Sequence, residues 1–196
     1  TASFVYRALF SAMHTQHRCV EKFRSLGFQV DLHHVWSRLY LWRFTRPVWD
    51  TSWLIAHEIL PTADHLIRFG MKVNPLCHCG NSESLQHLLV NCPFAIQVIS
   101  WYLQLIRHRI PTASPPTPRQ ILLGYSQGSG IPPVFLCLLG IVRHQLWKTR
   151  NAARWDHVAP DFQGTISQSK SSLRFAIRTQ QRHCRQDRFS ELWLAS

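Results

Sequence analysis

The residues best suited to chemistry are three cysteines and one histidine in the middle of the chain. They occur within sixteen residues, at Cys77, Cys79, His87 and Cys92. Thiolate sulfur and imidazole nitrogen are ligands that Zn²⁺ takes in proteins, and four of them fill a tetrahedral shell without leaving a position for water. This spacing predicts a structural zinc site of the CCHC type rather than a catalytic one.

Other interpretations of the same residues remain open. The opening Cys77-x-Cys79 is tighter than the C-x₂₋₄-C of common zinc fingers, and His78 could replace one of the two cysteines. The four could also be three free thiols and a core histidine near a turn. Four soft ligands so close together are rare by chance, which favours zinc.

Short local elements must position these ligands. A polar turn with Gly80 carries the first two sulfurs, and the apolar run 85–90 predicts about one and a half turns of helix. Asn91 and Pro93 are expected to end that helix, so Cys92 would lie just past its end.

The rest of the chain has the apolar periodicity of helices, and no segment alternates as a strand does. We therefore predict a mainly α fold, with bundle-like helical segments around a small CCHC knuckle, a proline-rich linker and two long C-terminal helices. The predicted helices are 3–25, a second one capped by Asp31 and ended by Arg43, Arg46 and Pro47, one from Asp50 or Thr51 to Leu60, a short one from Thr62 to Gly70, one from Pro93 to Arg109, one whose first turn holds Pro132 and Pro133, and a last one over 162–189. Residues 121–124 are expected to form a short apolar turn.

Four prolines between Pro111 and Pro118 mark the best internal boundary. Proline-rich stretches form semi-rigid linkers or loops. The predicted regions are an N-terminal helical region over 1–70, the knuckle with its following helix over 71–110, a linker over 111–130 and a basic helical region over 131–196.

Composition predicts a packed globular chain, because 45% of the 196 residues are apolar and only 16% are charged. The longest apolar runs, such as 134–142, are too short to span a bilayer, so no membrane association is expected. We expect no secretory signal, and the start at Thr1 without Met suggests a fragment of a longer polypeptide. Cys19, Cys137 and Cys184 are expected to be free thiols in a reducing compartment.

The net charge of +12 is distributed unevenly. Residues 1–92 hold nine Lys and Arg against six Asp and Glu, whereas residues 93–196 hold thirteen against four. A basic half beside a nearly neutral half indicates a surface that faces a polyanion. The alternative is a basic, solvated face without a specific partner.

The cations that we predict to contact nucleic acid lie on the last two helices. Four of them repeat at four-residue spacing and form a stripe about 18 Å long on the final helix, without acidic residues at i±4 to neutralise them. Tryptophans such as Trp101, Trp147 and Trp155 could stack on unpaired bases or belong to the core. The predicted contacts are Lys170, Arg174, Arg178 and Arg182 on the final helix, and Arg143, Lys148, Arg150 and Arg154 on the helix before it.

No catalytic residue is predicted in this segment. The sequence contains no Tyr/Phe-x-Asp-Asp, no carboxylate cluster with a lysine and no glycine-rich phosphate loop. Cys184 follows His183, but neighbours in sequence do not form a nucleophilic dyad, and no orienting Asn or Asp is identifiable.

Several motifs together resemble the carboxy-terminal segment of LINE-type (non-LTR) retrotransposon reverse transcriptases, the part that carries the reverse-transcriptase zinc-binding module. The resemblance covers most of the chain. It rests on the corner Leu60-Pro61-Thr62, the C-x-C-G opening, Glu83-Ser84-Leu85, His87-Leu88-Leu89, Cys92-Pro93, Leu146 to Asn151 and Arg154-Trp155. Many relatives have C-x-x-C where this chain has C-x-C.

The resemblance implies that Cys77, Cys79, His87 and Cys92 bind structural Zn²⁺. It also implies that the segment holds template RNA, target DNA or both during target-primed reverse transcription, next to the polymerase domains of the same polypeptide. Such a protein would act in the nucleus after a cytoplasmic ribonucleoprotein stage. The alternative is an architectural segment that packs on the polymerase thumb, with incidental charge.

Overall fold

A computed structural model describes residues 45–125, 130–186 and 189–190. The two helices predicted before residue 45 lie outside these ranges. Within them the chain is mainly helical, and the only β-type pairing is an isolated antiparallel bridge between Leu76 and Ser82, so the predicted fold class is confirmed. The helices are α1 (Arg46–Ala56), α2 (Ala63–Arg68), a π-helical turn (His87–Asn91), α3 (Pro93–Arg109), α4 (Pro118–Leu123), α5 (Pro133–Trp155) and α6 (Phe162–His183).

Helix α5 is the centre of the described fold. It packs against α1, α3, α6 and the π-helical turn, so side chains on most of its circumference are buried. Of the five apolar positions that the helical repeat predicts here, Leu138, Ile141, Val142 and Leu146 are in the core, and Val134 is partly buried. Because α5 has neighbours on several sides, its polar residues also point into protein.

Helix α1 begins earlier than the sequence predicted. Thr45 is its N-cap and Pro47 lies in its first turn, where a missing N–H costs no hydrogen bond. We expected Pro47 to end the preceding helix and α1 to start at Asp50 or Thr51, and this was wrong. The helix also stops at Ala56 rather than Leu60, and Glu58 then adopts a left-handed conformation with φ of 53°.

The predicted Pro-Thr corner and short helix are confirmed. Thr62 is the N-cap of α2, and Gly70 follows the helix with φ of 78°, a backbone conformation that glycine adopts without a Cβ clash. This corner leads directly into the cysteine-bearing loop.

The proline-rich segment contributes to the core. Thr117 forms a capping box with Gln120 at the start of α4, which is followed by Gly124. Ile121, Leu122 and Leu123 are buried in one hydrophobic cluster with residues of α1, α3 and α5. We expected only a short apolar turn here, and the structure has a capped helix. The division of the chain into four regions stays a prediction.

Helices α5 and α6 form an antiparallel hairpin. Polar side chains pair along it, with Thr149 3.2 Å from Thr165 and the Gln145 amide 3.3 Å from the Ser172 hydroxyl. The side of α6 that faces the core carries Thr165, Ile166, Ser169, Ala176 and Gln180. Among the described residues, no helix has the length and apolar character needed to cross a bilayer.

Candidate metal centre

The first two cysteines lie in a tight hairpin loop. The Glu83 amide donates to the Pro75 carbonyl at 2.9 Å, and the Cys77 amide donates to the Asn81 carbonyl at 2.8 Å. Gly80 closes the turn with φ of 86° and donates to the Cys77 carbonyl at 2.9 Å. This closed turn brings Cys77 and Cys79 to the same side of the loop despite the single residue between them.

The third and fourth ligand candidates flank a π-helical turn. The Cys92 amide donates to the His87 carbonyl at 2.7 Å, five residues back. In a regular α-helix of 3.6 residues per turn, two positions five apart point about 140° away from each other. The wider turn places His87 and Cys92 close enough to share a ligand. The sequence predicted an ordinary helix here, and this local widening was missed.

Cys92 also begins the next helix. It is the N-cap of α3, with Pro93 at the first helical position, and the backbone amides of Ala95 and Phe94 near its sulfur help to lower the pKa of Cys92. A helix N-terminus offers unpaired N–H groups and a partial positive charge, and both stabilise a thiolate.

The four predicted ligands converge. The sulfurs of Cys77, Cys79 and Cys92 and a ring nitrogen of His87 all lie within 4.8 Å of one another. A tetrahedral zinc ion with Zn–S bonds of about 2.3 Å requires sulfurs about 3.8 Å apart. The Cys77 and Cys92 sulfurs are 4.0 Å apart, and the Cys79 sulfur is 3.2 Å from Nε2 of His87. The donor set and its separations therefore fit Zn²⁺.

The protonation of the cluster also suits a cation. The hydrogen bond between the two buried sulfurs lowers the pKa of Cys92 to about 4 and raises that of Cys77. The two closely spaced sulfurs therefore do not lose their protons independently. Metal binding requires deprotonated thiols, so a bound cation would compete with protons at this pair.

His78 lies beside the cluster but differs from the four ligands in position. Its side chain is exposed, with Nδ1 3.3 Å from the Cys77 sulfur and Nε2 3.9 Å from the Cys92 sulfur, and its ring meets Phe94 edge-on. The two nitrogens thus face two different sulfurs. This arrangement suits a hydrogen-bond donor to the thiolates better than a replacement ligand.

Comparison with known families agrees with the geometry. Residues 28–101 match the family described as zinc-binding in reverse transcriptase. No curated protein matches the chain. The match covers less than half of the chain and contains all four ligand candidates, so this part is similar to the zinc-binding segment of reverse transcriptases. The predicted zinc cofactor is confirmed by this match and by the four converging ligand atoms.

A buried acidic residue, Glu83, lies in the sequence between the two pairs of ligands. Glu83 is 1% exposed and accepts hydrogen bonds from Nε of Arg150 at 3.0 and 3.1 Å and from the Ala63 amide at 2.8 Å. Arg154 approaches the same carboxylate at 3.4 Å. Burial opposes the charge of Glu83, but Arg150, the Ala63 amide and Arg154 outweigh it and lower the pKa below its usual value.

Two of the eight residues predicted to contact nucleic acid are buried in the fold. Arg143 is 6% exposed and donates to the Leu122 carbonyl at 2.7 Å, and Arg150 is 3% exposed and pairs with Glu83. The Arg154 side chain is 10% exposed, and it donates to the carbonyls of Asn74 and Leu76. These arginines are buried because α5 lies at the centre of the fold, where residues outside its apolar face also contact other elements.

The remaining predicted cations lie on the surface. Lys148 contacts Gln168 at 3.4 Å, and Lys170 lies 5.9 Å from the centre of the Trp101 ring. No ion pair involves the α6 stripe within the described part of the chain. The α6 stripe consists of Lys170, Arg174, Arg178 and Arg182, all of them exposed.

The three tryptophans named above differ in exposure. Trp101 and Trp147 are half-buried and pack against the main core, and Arg150 lies 4.8 Å from the centre of the Trp147 ring. Trp155, at the end of α5, is 55% exposed. Of these rings, Trp155 has the largest surface available to a partner.

The sequence did not assign a role to Glu83. It was recognised only as part of a motif, because no pattern links it to arginines 67 and 71 residues later in the chain. Two arginines at i and i+4 on a helix predict a shared face. Nothing in their spacing indicates that this face is buried against the metal-binding loop.

Proposed function

We propose that this segment binds nucleic acid through the α6 stripe, as part of a non-LTR retrotransposon reverse transcriptase that holds template RNA or target DNA during target-primed reverse transcription. The segment itself carries no catalytic group in this proposal. The zinc site fixes the fold, and the exposed cations contact phosphates.

The observation that carries the proposal is the α6 stripe. Four exposed cations follow one another at four-residue intervals on the side of α6 that faces away from the core. Their spacing is about 6 Å along the helix axis. Like charges held this close destabilise a helix slightly, and an anionic partner removes that repulsion.

Exposed aromatic rings support contact with unpaired bases. Trp155 and Phe175 are 55% and 60% exposed. Stacking of a base on an aromatic side chain contributes about 1–3 kcal/mol and tolerates any sequence. Phe175 lies three residues before Arg178 on α6, so an exposed ring and an exposed cation are neighbours on the helix surface.

A charge-reversal experiment tests the proposal. The full chain with Arg174, Arg178 and Arg182 changed to Glu is compared with a matched variant that carries Lys72, Arg109 and Arg119 changed to Glu, which are exposed cations outside the stripe. Affinity is measured for a labelled single-stranded RNA and a nicked DNA duplex over a range of salt concentrations. We expect the stripe variant to bind about 100-fold more weakly and the matched variant to lose far less.

The salt dependence gives a second measure. Each phosphate contact adds about 0.7–0.9 to the slope of log affinity against log salt, so loss of three contacts lowers the slope by about two. A flat salt dependence for the unchanged chain, or equal losses in both variants, would exclude the α6 stripe as the binding surface.

An architectural role is the second candidate, and one surface feature favours it. Ile67, Phe69 and Met71 are 43%, 74% and 51% exposed at the end of α2 and just beyond it. Neighbouring exposed apolar side chains are typical of protein contacts. In this alternative, substitution of Phe69 and Met71 by Ser weakens binding to the polymerase domains, whereas reversal of the stripe has no effect on RNA crosslinking.

A further inference from the structure

We propose that Glu83, Arg150 and Arg154 form a clamp that supports the metal site from outside, so that zinc affinity depends on residues of α5 that touch no ligand atom. We call these three residues the clamp. The clamp concerns the zinc site alone and does not depend on nucleic-acid binding.

Glu83 occupies a central position in the loop that carries the ligands. It stands midway between Cys79 and His87, with four residues to each, so its placement affects both halves of the ligand set. Its main chain is fixed on both sides: its amide donates to the Pro75 carbonyl at 2.9 Å, and its carbonyl accepts from the Asp64 amide at 3.2 Å. Movement of Glu83 would therefore open the hairpin that carries Cys77.

Glu83 is attached to α5 through Arg150. Arg150 donates to both carboxylate oxygens, and the two side chains are 3% and 1% exposed. Hydrogen bonds between ionised groups are about twice as strong as neutral ones, and the paired arrangement also fixes direction. Removal of one partner leaves the other charge buried without compensation.

Arg154 contacts the extended segment that enters the loop. Its two terminal nitrogens donate to the Asn74 carbonyl at 2.8 Å and to the Leu76 carbonyl at 3.1 Å. Leu76 directly precedes Cys77. Arg154 thus holds the backbone on one side of the first ligand, while Arg150 holds it through Glu83 on the other.

These contacts make α5 an outer support of the metal site. Residues that orient metal ligands from outside typically change metal affinity by about 10–100-fold when they are altered. Coupling between two sites is reciprocal, so zinc binding must in turn stabilise the end of α5 that carries Arg150 and Arg154.

Zinc affinity of the full chain, measured by competition with a chromophoric chelator, tests the clamp. We expect Glu83→Gln and Arg150→Met each to bind zinc about 10–100-fold more weakly. The control is Asp50→Asn, which removes a carboxylate from an exposed pair with Arg46 outside the clamp and should change zinc affinity less than twofold. The double variant Glu83→Gln/Arg150→Met should bind zinc no more weakly than the single variant with the larger loss of affinity, because the two residues act through one contact.

If the substitutions at the buried residues Glu83 and Arg150 prevent folding, Arg154→Ala still tests the proposal. The Arg154 side chain is 10% exposed, against 3% for Arg150, and its removal leaves the pair of Glu83 and Arg150 in place. We expect about tenfold weaker zinc binding with unchanged helix content by circular dichroism. Zinc affinity within twofold of the unchanged chain in Arg154→Ala would overturn the proposal, as would losses that simply multiply in the double variant.

Hydrogen exchange provides the reciprocal measurement. In the unchanged chain, removal of zinc should speed amide exchange in the last two turns of α5, residues 148–155, more than in its middle, residues 138–145. In Arg154→Ala this difference should shrink. Equal exchange at the end of α5 with and without zinc would overturn the coupling, whatever the outcome of the RNA-binding experiments.

Discussion

Two histidines of the metal-binding loop allow a direct test of which side chains are ligands. Nε2 of His87 is 3.2 Å from the Cys79 sulfur and the side chain is buried, whereas His78 is exposed and lies outside the converging set. We predict that His87→Ala lowers zinc stoichiometry well below one per chain. His78→Ala should retain one zinc and lose about tenfold in affinity, since it removes only a hydrogen-bond partner of the thiolates.

Native mass spectrometry measures both stoichiometries on the same preparation. Cys92→Ser serves as the reference for a lost ligand, and Cys137→Ser, at a buried thiol outside the cluster, controls for loss of a cysteine as such. Loss of zinc from His78→Ala together with retention in His87→Ala would assign the fourth ligand to His78.

His144 introduces a pH dependence that is independent of the metal ligands. Its Nδ1 lies 2.8 Å from the Thr51 hydroxyl, which donates to the Pro47 carbonyl at 2.9 Å, so α1 and α5 meet through this group. Burial, together with the charge of Lys148, lowers the pKa of His144 below its ordinary value. The folded protein therefore favours the neutral ring.

The sign of the effect follows from proton linkage. Below the ordinary histidine pKa of about 6.5 the unfolded chain takes up a proton that folded His144 resists, so stability falls as pH decreases, by up to about 1.4 kcal/mol per pH unit. We predict that the stability lost between pH 7.5 and 5.5 is smaller in His144→Asn, which keeps a donor but does not titrate. Urea denaturation measures this, and His108→Asn, at an exposed position, should behave as the unchanged chain.

Helix α4 lies in a segment whose composition predicts a linker, and its capping box tests whether it is a stable element. Thr117 accepts from the Gln120 amide at 3.2 Å, and the Gln120 side chain accepts from the Thr117 amide at 2.8 Å. We predict that Thr117→Ala destabilises the protein by about 1 kcal/mol. Thr112→Ala, at an exposed position in the same segment, should change stability by less than about 0.5 kcal/mol. Equal effects in urea denaturation would mean that α4 contributes nothing to folding.

Elements with strong local signals could be predicted from the sequence. Helices α3 and α5 begin at Pro93 and Pro133 as expected, because proline suits a first helical turn and a long apolar repeat follows. The same rule explains the error at α1, where Pro47 was interpreted as the end of one helix rather than the start of the next. A single proline indicates a boundary but not its direction.

The ligand set of the candidate site could be predicted, whereas the contacts from α5 that support the ligand-bearing loop could not. Residue types and spacing within sixteen positions indicate the four ligands, since zinc chemistry limits the choices. The burial of Arg143 and Arg150 depends on how many neighbours surround α5, which is a property of the tertiary fold. A charged residue outside the apolar face of a helix is usually solvated, whereas these two arginines contact other parts of the protein.

At the scale of the whole molecule, the metal site belongs to the main core. Cys77, Leu85, Leu89 and Cys92 share one hydrophobic cluster with Tyr102 of α3 and with apolar residues of α1, α4 and α5. A knuckle joined to the rest only by a linker would have a separate core. The continuous cluster and the clamp both lead us to expect that zinc binding stabilises the described fold as one unit.

Thermal unfolding with and without a chelator tests this expectation. A ligand present at about a thousandfold above its dissociation constant stabilises a protein by about 4 kcal/mol, and in a chain of this size each kcal/mol shifts the melting temperature by roughly 2–4 °C. We therefore predict one cooperative transition that moves down by roughly 10 °C when zinc is removed. Cys92→Ser should melt at the lower temperature and show no further shift with the chelator. Two transitions, with the upper one independent of zinc, would mean that the hairpin of α5 and α6 folds without the metal site, because only an uncoupled unit keeps its melting temperature when a ligand of its neighbour is withdrawn.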